Sequence, residues 1–189
     1  MKNEIEEIME KFKDFTYGFR VLVLTQRGKE GGPGRDRQGK NDRKISRNPD
    51  EFRICLESLL KKKNGQTEEL RIYSSANARD FNKALRNFKY KILEADYYDQ
   101  DSKEHFYLDI KNRWVGALAE PTSRSETKFL IDIDPEDDEQ AIREQLCSIN
   151  AEILFEYPTK NGRHIITKPF NPNLVKAEIK KDGMILLSF

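Results

Sequence analysis

Phe129-Leu130-Ile131-Asp132-Ile133-Asp134-Pro135 is an apolar run that ends on two carboxylates one residue apart. Downstream, Tyr157-Pro158-Thr159-Lys160-Asn161-Gly162-Arg163-His164-Ile165-Ile166-Thr167 is a turn that feeds a histidine into a β-branched run. Between the two, residues 139–149 read as a helix and residues 151–157 as a strand. In a strand, residues two apart share a face. Asp132 and Asp134 therefore project together, while Ile131 and Ile133 face a core. Two carboxylates on one face repel and are costly to desolvate unless something positive lies between them. A hard divalent cation, Mg²⁺ or Mn²⁺, suits such oxygen ligands. His164, after its glycine-containing turn, can reach the same face from an adjacent strand.

These residues carry a resemblance to the archaeo-eukaryotic primase-like superfamily, which includes the polymerase domains of bacterial end-joining ligases. The family's first motif is an apolar strand ending Asp-x-Asp, matched by Ile131-Asp132-Ile133-Asp134. Its second is small-x-His, matched by Gly162-Arg163-His164, with Thr159 and Lys160 in the preceding turn. The third, an apolar residue followed by an acid on a later strand, has no match in Met184–Phe189; Glu178 and Asp182 are the candidates for that third acid. The resemblance covers about the last third of the chain. It implies an α+β fold with an RRM-like primase-polymerase sheet and packed helices.

At 189 residues the chain suits a single domain with a real core. Its 34 basic and 33 acidic residues nearly cancel, so any affinity for nucleic acid must come from local patches. Cys55 and Cys147 have no metal-binding spacing and suit a reducing compartment. No run is long and apolar enough for a membrane span, and the N-terminus reads as a charged helix rather than a signal peptide. The expectation is a soluble cytoplasmic protein.

Ahead of the central stretch, Ile5, Ile8, Met9, Phe12 and Phe15 mark an amphipathic helix, and residues 19–24 a strand. Residues 27–47 then hold eight basic and three acidic side chains and read as a long loop. Either the loop grips phosphates, through Arg35, Arg37, Lys40, Arg43 and Lys44, or it is simply solvated. Gly34 to Lys40 fits the letter of a P-loop, but Asn41 replaces the Ser or Thr that the motif needs and no helix starts there. Asn48-Pro49 opens a helix that stops at Asn64-Gly65. A short strand, residues 69–75, leads to Ser74 and Ser75, placed either to meet a phosphate backbone or to serve in capping. Asn77 is read as the cap of the next helix, with Arg79 a candidate phosphate contact. A single helix is expected over residues 102–118 and a polar linker over 121–126. Residues 175–179 and 184–189 read as a hairpin around Lys181-Asp182-Gly183. The Lys-x-Asp-Gly resemblance of that turn to nucleotide-dependent ligases fails at Ile185, where an arginine belongs.

The resemblance implies a divalent-metal-dependent nucleotidyltransferase acting on DNA or RNA with nucleoside triphosphates, alone or beside other replication or repair proteins. Asp132 and Asp134 would hold Mg²⁺ or Mn²⁺. His164 would bind nucleotide phosphates with Lys160, Arg163 and Lys168 lending charge, while Thr159 and Asn161 shape the turn. Two alternatives stand beside it: a catalytically inactive nucleic-acid- or partner-binding relative, and a metal-dependent nuclease.

Overall fold

A computed structural model of the protein describes residues 2–26, 42–65, 70–97, 100–160 and 162–188, apart from the side chains of 100–102. Among these residues six α-helices accompany two four-stranded antiparallel sheets, an α+β structure. In chain order these are α1 (Lys2–Lys11), β1 (Arg20–Gln26), β2 (Asp42–Ser46), α2 (Pro49–Asn64), β3 (Leu70–Ser75), α3 (Phe81–Ala95), α4 (Gln100–Leu108) and α5 (Ile110–Ala119). There follow β4 (Phe129–Ile133), α6 (Glu139–Ser148), β5 (Ile153–Pro158), β6 (Arg163–Thr167), β7 (Glu178–Lys180) and β8 (Met184–Ser188). Among the described residues no helix is long and apolar enough to cross a membrane.

The first sheet runs β2-β1-β3-β8 and the second β5-β6-β4-β7. The last two strands are therefore not a hairpin. β7 pairs with β4 in the second sheet, while β8 pairs with β3 in the first. The Lys181-Asp182-Gly183 link crosses between sheets because the Asp182 side chain and the Lys181 carbonyl are anchored sideways. The Asp182 carboxylate accepts from Arg79 Nη1 at 3.0 Å and from Asn77 Nδ2 at 3.2 Å. Asn77 also ties in the Lys181 carbonyl at 3.2 Å and accepts the Lys128 N–H at 2.6 Å. These partners lie far away in sequence, out of reach of a turn propensity.

Three other boundaries differ from expectation for local reasons. The segment read as one long loop includes β2, which pairs with β1 from Arg20↔Ser46 to Leu24↔Asp42; Arg35, Arg37 and Lys40 lie outside the described residues. Asp80, rather than Asn77, caps α3, accepting the Lys83 N–H at 3.0 Å. The helix expected over 102–118 breaks at Asp109, whose backbone leaves the helical region at φ −103° and ψ 19°. Asn48 with Pro49 opens α2 as expected, the Asn48 side chain accepting the Glu51 N–H at 2.9 Å.

Strand alternation decides where the second sheet is apolar. Ile131, Ile133 and Ile165 form one core with Ile142 and Leu146 of α6. Each such isoleucine contributes about 1.5–3 kcal/mol by leaving water. On the opposite face Ile166 and Tyr157 join the core of the first sheet, among Phe12, Leu22, Leu56, Ile72 and Ile185. Asp132 and His164 share that face, beyond its packed end, and line a cleft between the two sheets.

Gly162 brings the β5–β6 turn against the end of β4. A Cβ there would lie 2.0 Å from the Ile133 carbonyl oxygen, an immovable neighbour. Gly162→Ala is expected to destabilise the protein by about 2–3 kcal/mol, lowering the melting temperature by about 4–12 °C in a thermal melt.

Candidate functional site

The cleft has a volume of about 540 Å³, within the usual range for small-molecule sites. His164, Asp132 and Glu178 line its floor from one registered row across the second sheet, which the buried Tyr157 extends. His164 on β6 faces Asp132 on β4, Tyr157 on β5 faces His164, and Glu178 on β7 faces Asp132. Directly opposed residues of neighbouring strands point to one side. Tyr157, His164, Asp132 and Glu178 therefore stand in line, in that order. Arg71 and Tyr73 of β3, with Met184 and Leu186 of β8, form the facing wall.

Asp132 is the electrostatic centre. Its Oδ1 lies 3.0 Å from His164 Nε2 and its Oδ2 accepts from Lys180 Nζ at 2.7 Å. These partners, His164 foremost, hold its carboxyl well below the usual carboxylate range against the opposing effect of burial. Lys180 shares the face of Glu178, two residues away, and lies 3.4 Å from Glu178 Oε1. Burial disfavours its charge, but the hydrogen bond and charge of Asp132, with Glu178 behind, more than offset this and raise its pKa.

The histidine is fixed from its other side. Tyr157 Oη lies 2.7 Å from His164 Nδ1 and accepts the Leu186 N–H at 3.0 Å. Asp132, an ionised carboxylate, can only accept, so in the neutral imidazole Nε2 bears the proton and the phenol donates to Nδ1. Burial pushes the Tyr157 phenol up, so it remains a donor throughout the ordinary pH range. Because Leu186 belongs to the first sheet, this chain of bonds also joins the two sheets.

The remaining expected residues separate into those near the cleft and those elsewhere. Asp134, Thr159 and Lys160 line it. Asp134 is exposed just past β4, its N–H bonded to the Asp137 carboxylate at 2.8 Å. Thr159 closes the turn, accepting the Gly162 N–H at 3.1 Å; Asn161 lies outside the described residues. Arg163 is opposite Ile133 and alternates to the other face, where it pairs with Glu139 at 3.3 Å and Glu156 at 3.6 Å, so it does not join His164. Lys168 lies past the far end of β6, paired with Glu152 at 2.8 Å. Ser74 and Arg79 are buried, 0% and 4% exposed, and Arg79 holds Asp182, so neither offers a surface contact to nucleic acid. Asp182, at the rim of the cleft, serves the crossover link. Lys44 pairs with Asp42 at 4.0 Å, whereas Arg43 is exposed on β2.

Tyr157 and Lys180 were not singled out from the sequence. Their only local signal is parity: Tyr157 alternates with the exposed Glu156, and Lys180 stands two residues from Glu178.

Among the described residues no three His, Cys, Asp or Glu side chains converge into a ready metal cage. The donor chemistry nevertheless fits a hard cation, because a positive charge, the Lys180 ammonium, already bridges the Asp132 and Glu178 carboxylates. Those oxygens become available only when Lys180 withdraws. Set against known protein families, curated proteins and solved structures, the chain matches none.

Two outcomes follow from this geometry. Since the Asp132 pKa is depressed by folding, its stabilisation is complete above about pH 4, the unfolded value, and is lost as pH falls below it. The melting-temperature gap between wild type and Asp132→Asn is expected to be widest at neutral pH and to shrink on acidification. Tyr157→Phe leaves Nδ1 without its donor; the ¹⁵N shifts of the His164 ring are expected to move from a single Nε2–H tautomer towards a mixture.

Proposed function

We propose that the cleft is the site of a divalent-metal-dependent nucleotidyl transfer of primase-polymerase type, on nucleic acid with nucleoside triphosphates. The observation that supports it is the row His164–Asp132–Glu178, on three neighbouring strands, facing one cleft. It joins the two sequence motifs and brings in Glu178, preceded by the apolar Ala177, as the candidate third acid. Asp132, Glu178 and Asp134 are the residues that would hold Mg²⁺ or Mn²⁺. When bound, the metal supplies Lewis-acid stabilisation of charge developing on a transferred phosphoryl group.

The protein's own groups supply the rest. His164 presents its Nε2–H to the cleft floor, and a phosphate oxygen that competes with Asp132 would receive that proton as a hydrogen bond. Lys160, at the turn, is placed to face triphosphate charge, and Thr159 fixes that turn against the end of β4. Lys180, displaced from Asp132, would remain close enough to neutralise phosphate oxygens. The two free cysteines, Cys55 and Cys147, accord with a cytoplasmic location.

One observation favours a second reading, in which the fold binds nucleic acid or a partner without catalysis. Lys180 already neutralises Asp132, which leaves the floor satisfied with no metal at all. Calorimetric titration of nucleoside triphosphate with Mn²⁺ separates the two. In the catalytic reading the wild type binds in a metal-dependent manner, Asp132→Ala and His164→Ala lose binding by about tenfold or more, and Lys180→Met binds Mn²⁺ more tightly than wild type. Binding that appears only in Lys180→Met would mark a site closed by its own lysine. Absence of binding in every protein would refute nucleotidyl transfer.

A further inference from the structure

Helix α3 has two apolar faces. The inner one carries Leu85, Phe88 and Ile92, all partly buried. Phe88 lies against Phe106 and Trp114, with ring centroids 6.4 and 5.5 Å away. The outer one carries Tyr90, Leu93 and Tyr97, which are 65%, 56% and 90% exposed. The last turn reaches Tyr97, whose N–H donates to the Glu94 carbonyl at 3.1 Å. Spacings of three and four residues put these side chains in one line, the seam pattern of paired helices. A helix that has buried one face in its own domain is expected to be polar on the other. None of the three outer side chains enters a core of the described residues.

The charges beside this line are sorted by sign. Arg86 and Lys89 stand at its start, Glu94 and Asp96 near its end, and all four are exposed. Asp96 meets Lys103 at 2.9 Å and Tyr107 at 3.5 Å. Arg86, Lys89 and Glu94 make no ion pair among the described residues. This order opposes the helix dipole, which favours acids in the first turn and bases in the last. Past the Asp80 cap, α3 has no acid in its first turn and no base in its last. Such an order is unfavourable within one helix and favourable between two that run in opposite directions, where each basic end meets an acidic one.

We propose that the outer face of α3 pairs with the same face of a second copy of this chain, antiparallel, as an isologous dimer. With the two-fold axis between residues 90 and 93, Tyr90 packs on Leu93 of the second copy and Arg86 on Tyr97 of the second copy, each twice. The guanidinium then lies beside an aromatic ring, and Lys89 comes beside Asp96 of the second copy. The four layers span about 16 Å, so the contact belongs with small, reversible interfaces. A parallel pair would set Arg86 against its own copy. A nucleic-acid strand or an anionic membrane would meet Arg86 and Lys89 but be repelled by Glu94 and Asp96. The inference stands apart from the reading of the cleft, to whose described lining α3 lends no residue.

The test is sedimentation velocity of the full chain from about 5 to 500 µM, in low-salt buffer without metal or nucleotide. The expected result is a monomer–dimer equilibrium with a Kd between about 10 and 100 µM, which stops at two copies because an isologous contact is closed. Leu93→Asp, at an exposed position, is expected to leave the melting temperature of the dilute chain unchanged and to weaken the dimer about thirtyfold or more. Arg86→Glu/Lys89→Glu is expected to weaken it about tenfold or more. Adding Glu94→Lys/Asp96→Lys to that variant reverses both ends and is expected to restore the dimer, which a merely damaged helix would not do. A chain that stays monomeric throughout, association that grows beyond two copies, indifference to Leu93→Asp or failure of the charge reversal to rescue would each overturn the pairing. Binding of single-stranded DNA or anionic vesicles at this face by a chain that remains monomeric would overturn it as well.

Discussion

A carboxylate placed on the inner face of a sheet has to be answered by something, and Asp132 is that carboxylate. Its two oxygens meet His164 and Lys180, each from a neighbouring strand. The charges are only partly screened, since the Asp132 side chain is about one-fifth exposed, at 21%, and that of His164 less so. Remove one partner and a half-buried charge is left uncompensated, the circumstance in which charge pairs matter most. The site is thus held by the requirement that Asp132 be satisfied. Whatever binds there must replace an existing partner and not merely add to it.

The bonds behind this row extend the requirement to the whole fold. Tyr157 orients His164 and takes its own hydrogen bond from Leu186, across the gap between sheets. At the other end of the row, Glu178 and Lys180 owe their positions to the crossover that follows them. Asp182 grips Arg79 and Asn77, and Gly183 passes so close to Leu130 that a Cβ would lie 2.5 Å from the leucine Cβ. Arg79 and Asn77 are spent on this structural joint, which is why residues that resemble surface ligands in the sequence are buried in the fold. Ser74 is buried too, on the strand that pairs with β8.

Lys180 gives the site its ambiguity and its chemical interest. An ammonium between two carboxylates is a counter-ion that costs no ligand concentration, so it stabilises the metal-free state and sets a threshold for any cation that competes. In the nucleotidyl-transfer reading proposed above, the same cation, once displaced, would be beside the phosphate charge. A single side chain can therefore serve an idle site and an occupied one. The first sheet contributes no carboxylate to the cleft walls that the structure describes; it offers Arg71, Tyr73 and apolar side chains.

The sequence by itself determined the α+β class, the strand over Phe129–Ile133 with Asp132 inside it, the strand bearing His164, and α6 between them, because alternation and helical periodicity are local and Gly162 marks the turn. It determined also that Asp132 and His164 share a face once their strands pair. It did not determine which strands pair. The Asp-Gly turn at 182–183 has hairpin chemistry, yet β7 and β8 go to different sheets, since Arg79, Asn77 and the space beside Leu130 are supplied by segments far away in the chain. Parity alone could not send Arg163 to the glutamates of α6 and β5 or bring Glu178 and Lys180 beside Asp132. Those placements follow from register, and register is fixed by packing two buried faces at once, which only the tertiary structure decides.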